Sequence, residues 1–240
     1  MKNIVVIFAG GAGQRMNSGT RPKQFLELHG KPIIIYTLEQ FERHPMIDGI
    51  VVVCLESWIP FCEELIARFR ISKVSAVVPG GRTGLLSRYC GVKKAAELYP
   101  GDSVCLMHDG VRPLVDQDTI TRNILAVREH GSAVTVAPAV ETVSVREDAD
   151  KVGTIIDRSR CQMCKAPQSF LLKDLLAVHE ATVAAGIDDC IDTAYLMQQN
   201  GYELFTVEGS SENIKITTPT DYYIFRALVD VRENSQIFGI

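Results

Sequence analysis

The sequence predicts an α/β fold: a mostly parallel, twisted sheet with helices on both faces and an inserted β-hairpin arm. Three features of the chain predict it. Short runs rich in Val and Ile recur along the chain, segments of helical period fall between them, and past Pro138 two strand-like runs follow each other with no helix between. Runs that are apolar at successive positions suit strands covered on both faces, and alternation of strand with helix is the pattern of a parallel sheet.

The apolar runs are Ile4–Phe8, Ile50–Leu55, Val74–Val78, Val104–Met107 and Ala133–Ala137. Between them helices are expected over Pro32–Arg43, where Pro suits the first turn, over Ser57–Phe69 with Ser57 as its cap, over Leu85–Leu98 and over Asp118–Glu129. The arm, residues 139–160, holds the β-like runs Glu141–Arg146 and Lys151–Asp157 around the polar turn Glu147-Asp148-Ala149-Asp150. Helices near Leu171–Ala185 and Asp192–Gln199, a strand at Glu203–Val207 and a helix from Pro219 to Arg232 complete the order. No repeat, low-complexity tract or linker interrupts it, so residues 1–240 are expected to form a single domain carrying the arm.

With 240 residues, 46% of them hydrophobic, the chain can bury a large core. A net charge of -4 offers no broad cationic field for nucleic acid or a membrane surface, so any positive charge that matters is local and suits a small anionic ligand. No apolar run approaches the roughly 20 residues needed to cross a bilayer, and Lys2 leads straight into a strand-like run, unlike a signal peptide. The cytoplasm is the expected compartment. Seven scattered cysteines do not form a disulfide framework, and the pair Cys161 and Cys164 lacks the further ligands of a zinc site.

The stretch after the first strand carries the chemistry. Ala9-Gly10-Gly11-Ala12-Gly13 follows the run Ile4–Phe8, and ligands of open α/β sheets bind beyond the carboxyl ends of strands. Small residues let backbone N–H groups approach a phosphate or a base edge, although the same run also suits a plain strand-to-helix turn. A dinucleotide fingerprint fails because Met16 stands where the third glycine belongs. A P-loop fails because Gly30-Lys31 is followed by Pro32. What remains is a small-residue loop followed by Arg15 and Lys23, a guanidinium fork and an ammonium suited to a triphosphate. Arg21 lies outside this pattern and reads as a surface cation.

Ala9-Gly10-Gly11-x-Gly13-x-Arg15-Met16 with Pro22-Lys23-Gln24-Phe25 resembles the opening signature of the cytidylyltransferases that activate polyol phosphates. His108-Asp109-Gly110-Val111-Arg112-Pro113 is similar to the family's HDxxRP motif, Ala166-Pro167-Gln168-Ser169-Phe170 to its TPQxF motif, and Glu208-Gly209 through Asn213-Ile214-Lys215-Ile216-Thr217 to its EG…NIKxT motif. The resemblance covers nearly the whole chain and implies a Rossmann-like nucleotidyltransferase fold, similar to GT-A. The implied reaction is transfer of CMP from CTP to a polyol phosphate with release of pyrophosphate, assisted by Mg²⁺ or another divalent cation.

By that resemblance Arg15, Lys23 and Lys215 are expected to hold the triphosphate and act in catalysis, and Ala9, Gly10, Gly11, Gly13, Gly80, Gly81 and Ser87 to bind the nucleotide. Asp109, at the end of an apolar strand, is expected at the ribose or the metal. Arg112 and Asp192 are implied on the acceptor side, and Thr142 and Arg158 are implied to reach from the arm into a neighbour's acceptor pocket in a homodimer. A hairpin is marginal alone and gains from such packing. His108 reads as a packing or backbone partner.

The chain departs from the isoprenoid branch of this family in three places. Gly84 stands near a position that is usually arginine there, with Arg82 displaced; Ser-Arg-Cys-Gln-Met-Cys-Lys fills 159–165 where a Leu-Trp pair and Thr are usual; and Ile191 precedes Asp192 in place of threonine. With the ending Arg232 to Gly239, these favour D-ribitol 5-phosphate, used for wall or capsule polymers, over 2-C-methyl-D-erythritol 4-phosphate of isoprenoid synthesis. A glycosyltransferase would place Asp-x-Asp at a strand end, whereas Asp148-Ala-Asp150 lies in the arm's turn. An inactive nucleotide-binding module would not need Arg15, Lys23, Asp109, Arg112 and Lys215 together.

Overall fold

The computed structural model describes residues 1–10 and 21–238. In chain order its elements are β1 (Asn3–Ala9), β2 (Glu27–Leu28), β3 (Lys31–Pro32), α1 (Ile33–Glu42), β4 (Gly49–Cys54), α2 (Ile59–Arg68), β5 (Val74–Pro79) and α3 (Gly84–Leu98). There follow β6 (Val104–Asp109), α4 (Gln117–His130), β7 (Ser132–Pro138), β8 (Val143–Asp148), β9 (Lys151–Ile156) and β10 (Gln162–Leu171). The chain then runs through α5 (Leu172–Ala184), α6 (Thr193–Gln199), β11 (Thr206–Glu208) and α7 (Pro219–Phe238).

Seven strands form the central sheet in the order β11-β7-β10-β6-β1-β4-β5. β10 runs antiparallel to both its neighbours, and the other pairings are parallel. Alternate residues of β1 face opposite cores: Val5 and Ile7 pack with residues of α1, α2 and α4, while Ile4 and Val6 pack with residues of α3, α5 and α6. The helices therefore cover both faces, as the apolar runs require. β5, at the sheet edge, is only partly covered, unlike the fully buried β4. A third cluster seats α7, through Phe225 and Val229, on Ile33, Leu114 and Ile216.

Four expectations are corrected. The helix placed from Ser57 starts at Ile59: residues Glu56–Trp58 form a 3-10 turn, Trp58 is the N-cap without a side-chain cap, and Pro60 occupies the first turn. The stretch between the arm and α5 carries a strand, β10, that the alternation of strand and helix did not reveal. The last strand is also short, Thr206–Glu208, and α7 runs past Arg232 to Phe238.

Candidate active site

β1, β4, β5 and β6 are parallel, so Ala9, Cys54, Pro79 and Asp109 all end on one edge of the sheet. A cleft of about 630 Å³ opens there, lined by Gly10, Lys23, Gly81, Ser87 and Lys215 among others. A compartment of about 120 Å³ adjoins it, with Arg112, Lys165, Gln168 and Asp192 on its wall. The two share Phe8, Arg88, Asp109 and Lys215. Two reactants bound side by side would meet at those four residues.

The glycines of the larger compartment keep bare backbone close to one hydroxyl. A Cβ on Gly80 would lie 2.9 Å from Ser87 Oγ, and one on Gly10 would lie 3.8 Å from it. Ser87 Oγ donates to the Gly81 carbonyl at 3.1 Å. The buried Gln24 amide donates to the Ala9 carbonyl and so anchors the end of β1. Thr83 caps α3 by accepting from Leu86 N at 3.2 Å. Gly11, Gly13 and Arg15 lie outside the described residues.

Asp109 is the electrostatic centre. Its Oδ2 accepts from Arg112 Nε at 2.9 Å and its Oδ1 from Lys215 Nζ at 2.8 Å. Burial alone would raise the Asp109 pKa, but the charges and hydrogen bonds of Lys215 and Arg112 outweigh it and hold the carboxyl well below the usual range. Burial pushes the neighbouring His108 down to about 4, so the ring is neutral at pH 7. Its Nε2 lies 3.1 Å from the Arg112 carbonyl and its ring stands edge-on to Phe41, as a packing and backbone partner would.

Lys215 sits in an irregular segment after β11 that side chains tie down. Arg112 Nη1 donates to the Asn213 carbonyl at 2.9 Å, and Lys23 Nζ to the Ile216 carbonyl at 3.1 Å. Lys165 Nζ reaches the carbonyls of Ser211 at 2.9 Å and of Ser210 and Asn213 at 3.4 Å. Asn213 Nδ2 donates to the Ala166 carbonyl at 2.7 Å. Burial, with Arg112 nearby, lowers the pKa of Lys165.

The structure thus gathers Ala9, Gly10, Lys23, Gly80, Gly81, Ser87, Asp109, Arg112, Asp192 and Lys215 around one cleft. Asp192 also caps α6, accepting from Tyr195 N at 2.8 Å, and accepts from Gln168 Nε2 at 2.8 Å. Thr142 and Arg158 do not join this cleft within one chain; they line a separate groove of about 730 Å³ at the base of the arm. Arg21 lies against Glu27 at 3.3 Å and over the Phe61 ring, away from the walls of both compartments.

Sequence reasoning gave no role to Gln24, Gln168 and Asn213, although all three stood inside motifs; as uncharged residues with buried partners they announced nothing beyond position. It also missed Arg88 and Lys165. The signal for Arg88 was its place next to Ser87 and one helical turn after Gly84, and for Lys165 its place just before Ala166-Pro167.

Comparison with known proteins agrees with this geometry. A model of the IspD family, 2-C-methyl-D-erythritol 4-phosphate cytidylyltransferase, matches residues 3–230. A Streptococcus agalactiae serotype V protein named ribitol-5-phosphate cytidylyltransferase is 50% identical over 100% of both chains. A Vibrio parahaemolyticus protein of the same name is 50% identical over 99% of this chain and 100% of its own. A Clostridium botulinum protein named 2-C-methyl-D-erythritol 4-phosphate cytidylyltransferase is 35% identical over 95% of this chain and 98% of its own. Among solved structures, the 4-diphosphocytidyl-2C-methyl-D-erythritol synthase of Anaerococcus prevotii has a TM-score of 0.81 at 26% identity, covering 95% of this chain and 96% of that one. With a family match across most of its length and a Rossmann-like sheet shared with those structures, the chain belongs to the IspD family of cytidylyltransferases and is a nucleotidyltransferase.

Proposed function

We propose that this enzyme transfers CMP from CTP to D-ribitol 5-phosphate, giving CDP-ribitol and pyrophosphate. The observation that carries this reading is the gap in identity: full-length relatives at 50% bear the ribitol-5-phosphate name, while a relative named for methylerythritol phosphate stands at 35%. Of the substituted positions, Cys164, Lys165 and Ile191 line the smaller compartment, where acceptor choice would be made, while Ser159, Cys161 and Gln162 line the groove at the base of the arm.

A phosphate monoester has a second pKa near 6, so its oxygen is a competent nucleophile at neutral pH without a general base. That oxygen forms a bond to the α-phosphorus of CTP as the α–β anhydride bond breaks, and pyrophosphate leaves with the electron pair. The obstacle is repulsion between two anions, and converging cations lower it. In this reading Lys23 and Lys215, with Arg15, hold the triphosphate and stabilise charge on the α-phosphate. Gly10, Gly80, Gly81 and Ser87 take the nucleotide, and Arg112 and Asp192 face the acceptor. Lys23 and Lys215 are already placed on the same segment of chain, one by hydrogen bond and one by sequence.

Among the described residues no group of three His, Cys, Asp or Glu could hold a metal by itself. Asp109 fits Mg²⁺ in the other usual mode, one carboxylate completed by substrate phosphates. Bound there, Mg²⁺ would neutralise phosphate charge.

The arm, residues 139–160 of one 240-residue unit, supports a homodimer in this reading. Val152 and Ile155 are 70% and 64% exposed on it, and Arg158 donates to the Val140 carbonyl at 2.9 Å beside Thr142. We place Thr142 and Arg158 at the acceptor compartment of the partner subunit. Free thiols at all seven cysteines fit a reducing, cytoplasmic setting, and no helix among the described residues is long and apolar enough to cross a membrane.

One panel tests the reading: pyrophosphate release from CTP with D-ribitol 5-phosphate, with 2-C-methyl-D-erythritol 4-phosphate, or with neither, and with ATP and UTP in place of CTP. Turnover is expected with the ribitol ester and CTP. Faster turnover with the methylerythritol ester would overturn the choice of acceptor.

A further inference from the structure

Most charges of the cleft are matched before a substrate arrives. Asp109 holds Arg112 and Lys215, and Lys165 rests on three carbonyls. Asp192 spends its two oxygens on Gln168 and the start of α6. Arg88 differs. It lies on α3 where the two compartments join. Its hydrogen bonds among the described residues run from Nη2 to the Cys190 carbonyl at 3.2 Å and to Cys190 Sγ at 2.7 Å, and neither partner is an anion. Its Nε is buried with no partner among the described residues.

A guanidinium carries five N–H donors and is always charged, and a buried donor left unmade costs free energy. An arginine kept in that condition on a cleft wall suits a site whose anion comes with the ligand. The local sequence leaves room for it. A Cβ on Gly84, one turn earlier on the same face of α3, would lie 3.5 Å from Arg88 Nη1, so a longer side chain at 84 would crowd the outer edge of the guanidinium. Cys190 meanwhile fixes the opposite edge.

We propose that Arg88 is a catalytic residue that binds the phosphate of the acceptor, a polyol phosphate monoester, at the boundary between the two compartments. With Nη2 held by Cys190 and Nε buried, Nη1 beside Gly84 is the donor left to meet that phosphate, and it would set the phosphate beside the α-phosphate of the bound nucleotide. This rests on the reading of the acceptor as a polyol phosphate, and it holds for either polyol because the contact is to the ester phosphate.

The test compares Arg88→Met and Arg88→Lys with the unaltered dimer or monomer as purified. Initial rates are measured with CTP and whichever acceptor the wild-type protein uses, and binding of inorganic phosphate is followed by calorimetry. Losing a hydrogen bond to a charged group predicts a rise in the acceptor KM of about 10- to 100-fold for Arg88→Met, with the CTP KM within about threefold and phosphate binding weakened. Arg88→Lys should recover part of the loss, since it restores charge without the planar guanidinium that Cys190 holds in place. An acceptor KM within about twofold of wild type in Arg88→Met would overturn the proposal. So would an equal rise in both KM values with a lowered Tm, which would mark packing against Cys190 as the residue's only task. If the wild-type protein prefers the methylerythritol ester, the choice of acceptor fails while the Arg88 comparison, run with that ester, still decides.

Discussion

Replacing Asp109 with asparagine keeps the shape of the side chain and removes its charge. The carboxylate now accepts from Arg112 at 2.9 Å and Lys215 at 2.8 Å. Asparagine can accept from one of them and must turn an NH₂ group towards the other. The Arg112 side chain is 12% exposed and that of Lys215 is 44% exposed, so the first contact counts more fully and the second is partly screened by water. A hydrogen bond to a charged group contributes about 1.5–3 kcal/mol, so the net loss is on the order of 2 kcal/mol. For a domain of this size that lowers Tm by about 4–8 °C. The kcat should fall by about 100-fold or more, because Lys215 and Arg112 lose the anion that aims them. Differential scanning fluorimetry in metal-free buffer and the pyrophosphate assay read the two effects. The sign of the pH dependence is fixed by the depressed pKa: the stabilisation is present above the unfolded value of about 3.9 and is lost only as pH falls through the lower folded value. The stability gap between wild type and variant should therefore stay level from about pH 8 to about pH 5. A Tm within about 1 °C of wild type with kcat within about threefold would refute this account of the site.

Lys23→Ala should lower kcat about a hundredfold or more, and a near-normal rate in the pyrophosphate assay would remove Lys23 from the phosphate site. Gly91→Ala sets a Cβ 2.4 Å from Val6 Cγ1 and 2.6 Å from Val53 Cγ2, where α3 crosses the sheet. Overpacking of that kind costs about 1–3 kcal/mol, so thermal denaturation should show a lower Tm, and an unchanged one would mean that α3 can lift off β1 and β4 freely. Lysines in place of Val152 and Ile155 should shift the protein towards monomer in light scattering and lower its activity. A monodisperse variant monomer with full activity would end the case for Arg158 acting in trans.

The alternation of strand and helix was legible because the apolar runs of β1, β4, β6 and β7 are buried on both faces and look alike. β10 was not. Its residues read QMCKAPQSFL, with Pro167 inside and an irregular register between Cys164 and Gln168, and its first half is exposed. Neither periodicity nor propensity marks such a strand. The start of α2 was misplaced for a local reason, since Pro60 suits a first turn that Ser57 is too far upstream to cap. In the site, motif residues such as Asp109 and Lys215 could be named, but not that they touch across 106 positions. Arg88 and Lys165 drew no role from the sequence, because what sets them apart is the partner each one has, and partners are not written in sequence.

The reversed direction of β10 has an architectural result. A strand laid against the grain begins where its neighbours finish, so β7 leaves the sheet and β10 re-enters it along the very border at which Ala9 and Asp109 end. The excursion between them, hairpin included, is rooted on that border and nowhere else. Anything gripping the root of the hairpin would consequently be stationed beside the cleft, which ties the proposed dimer to the proposed site.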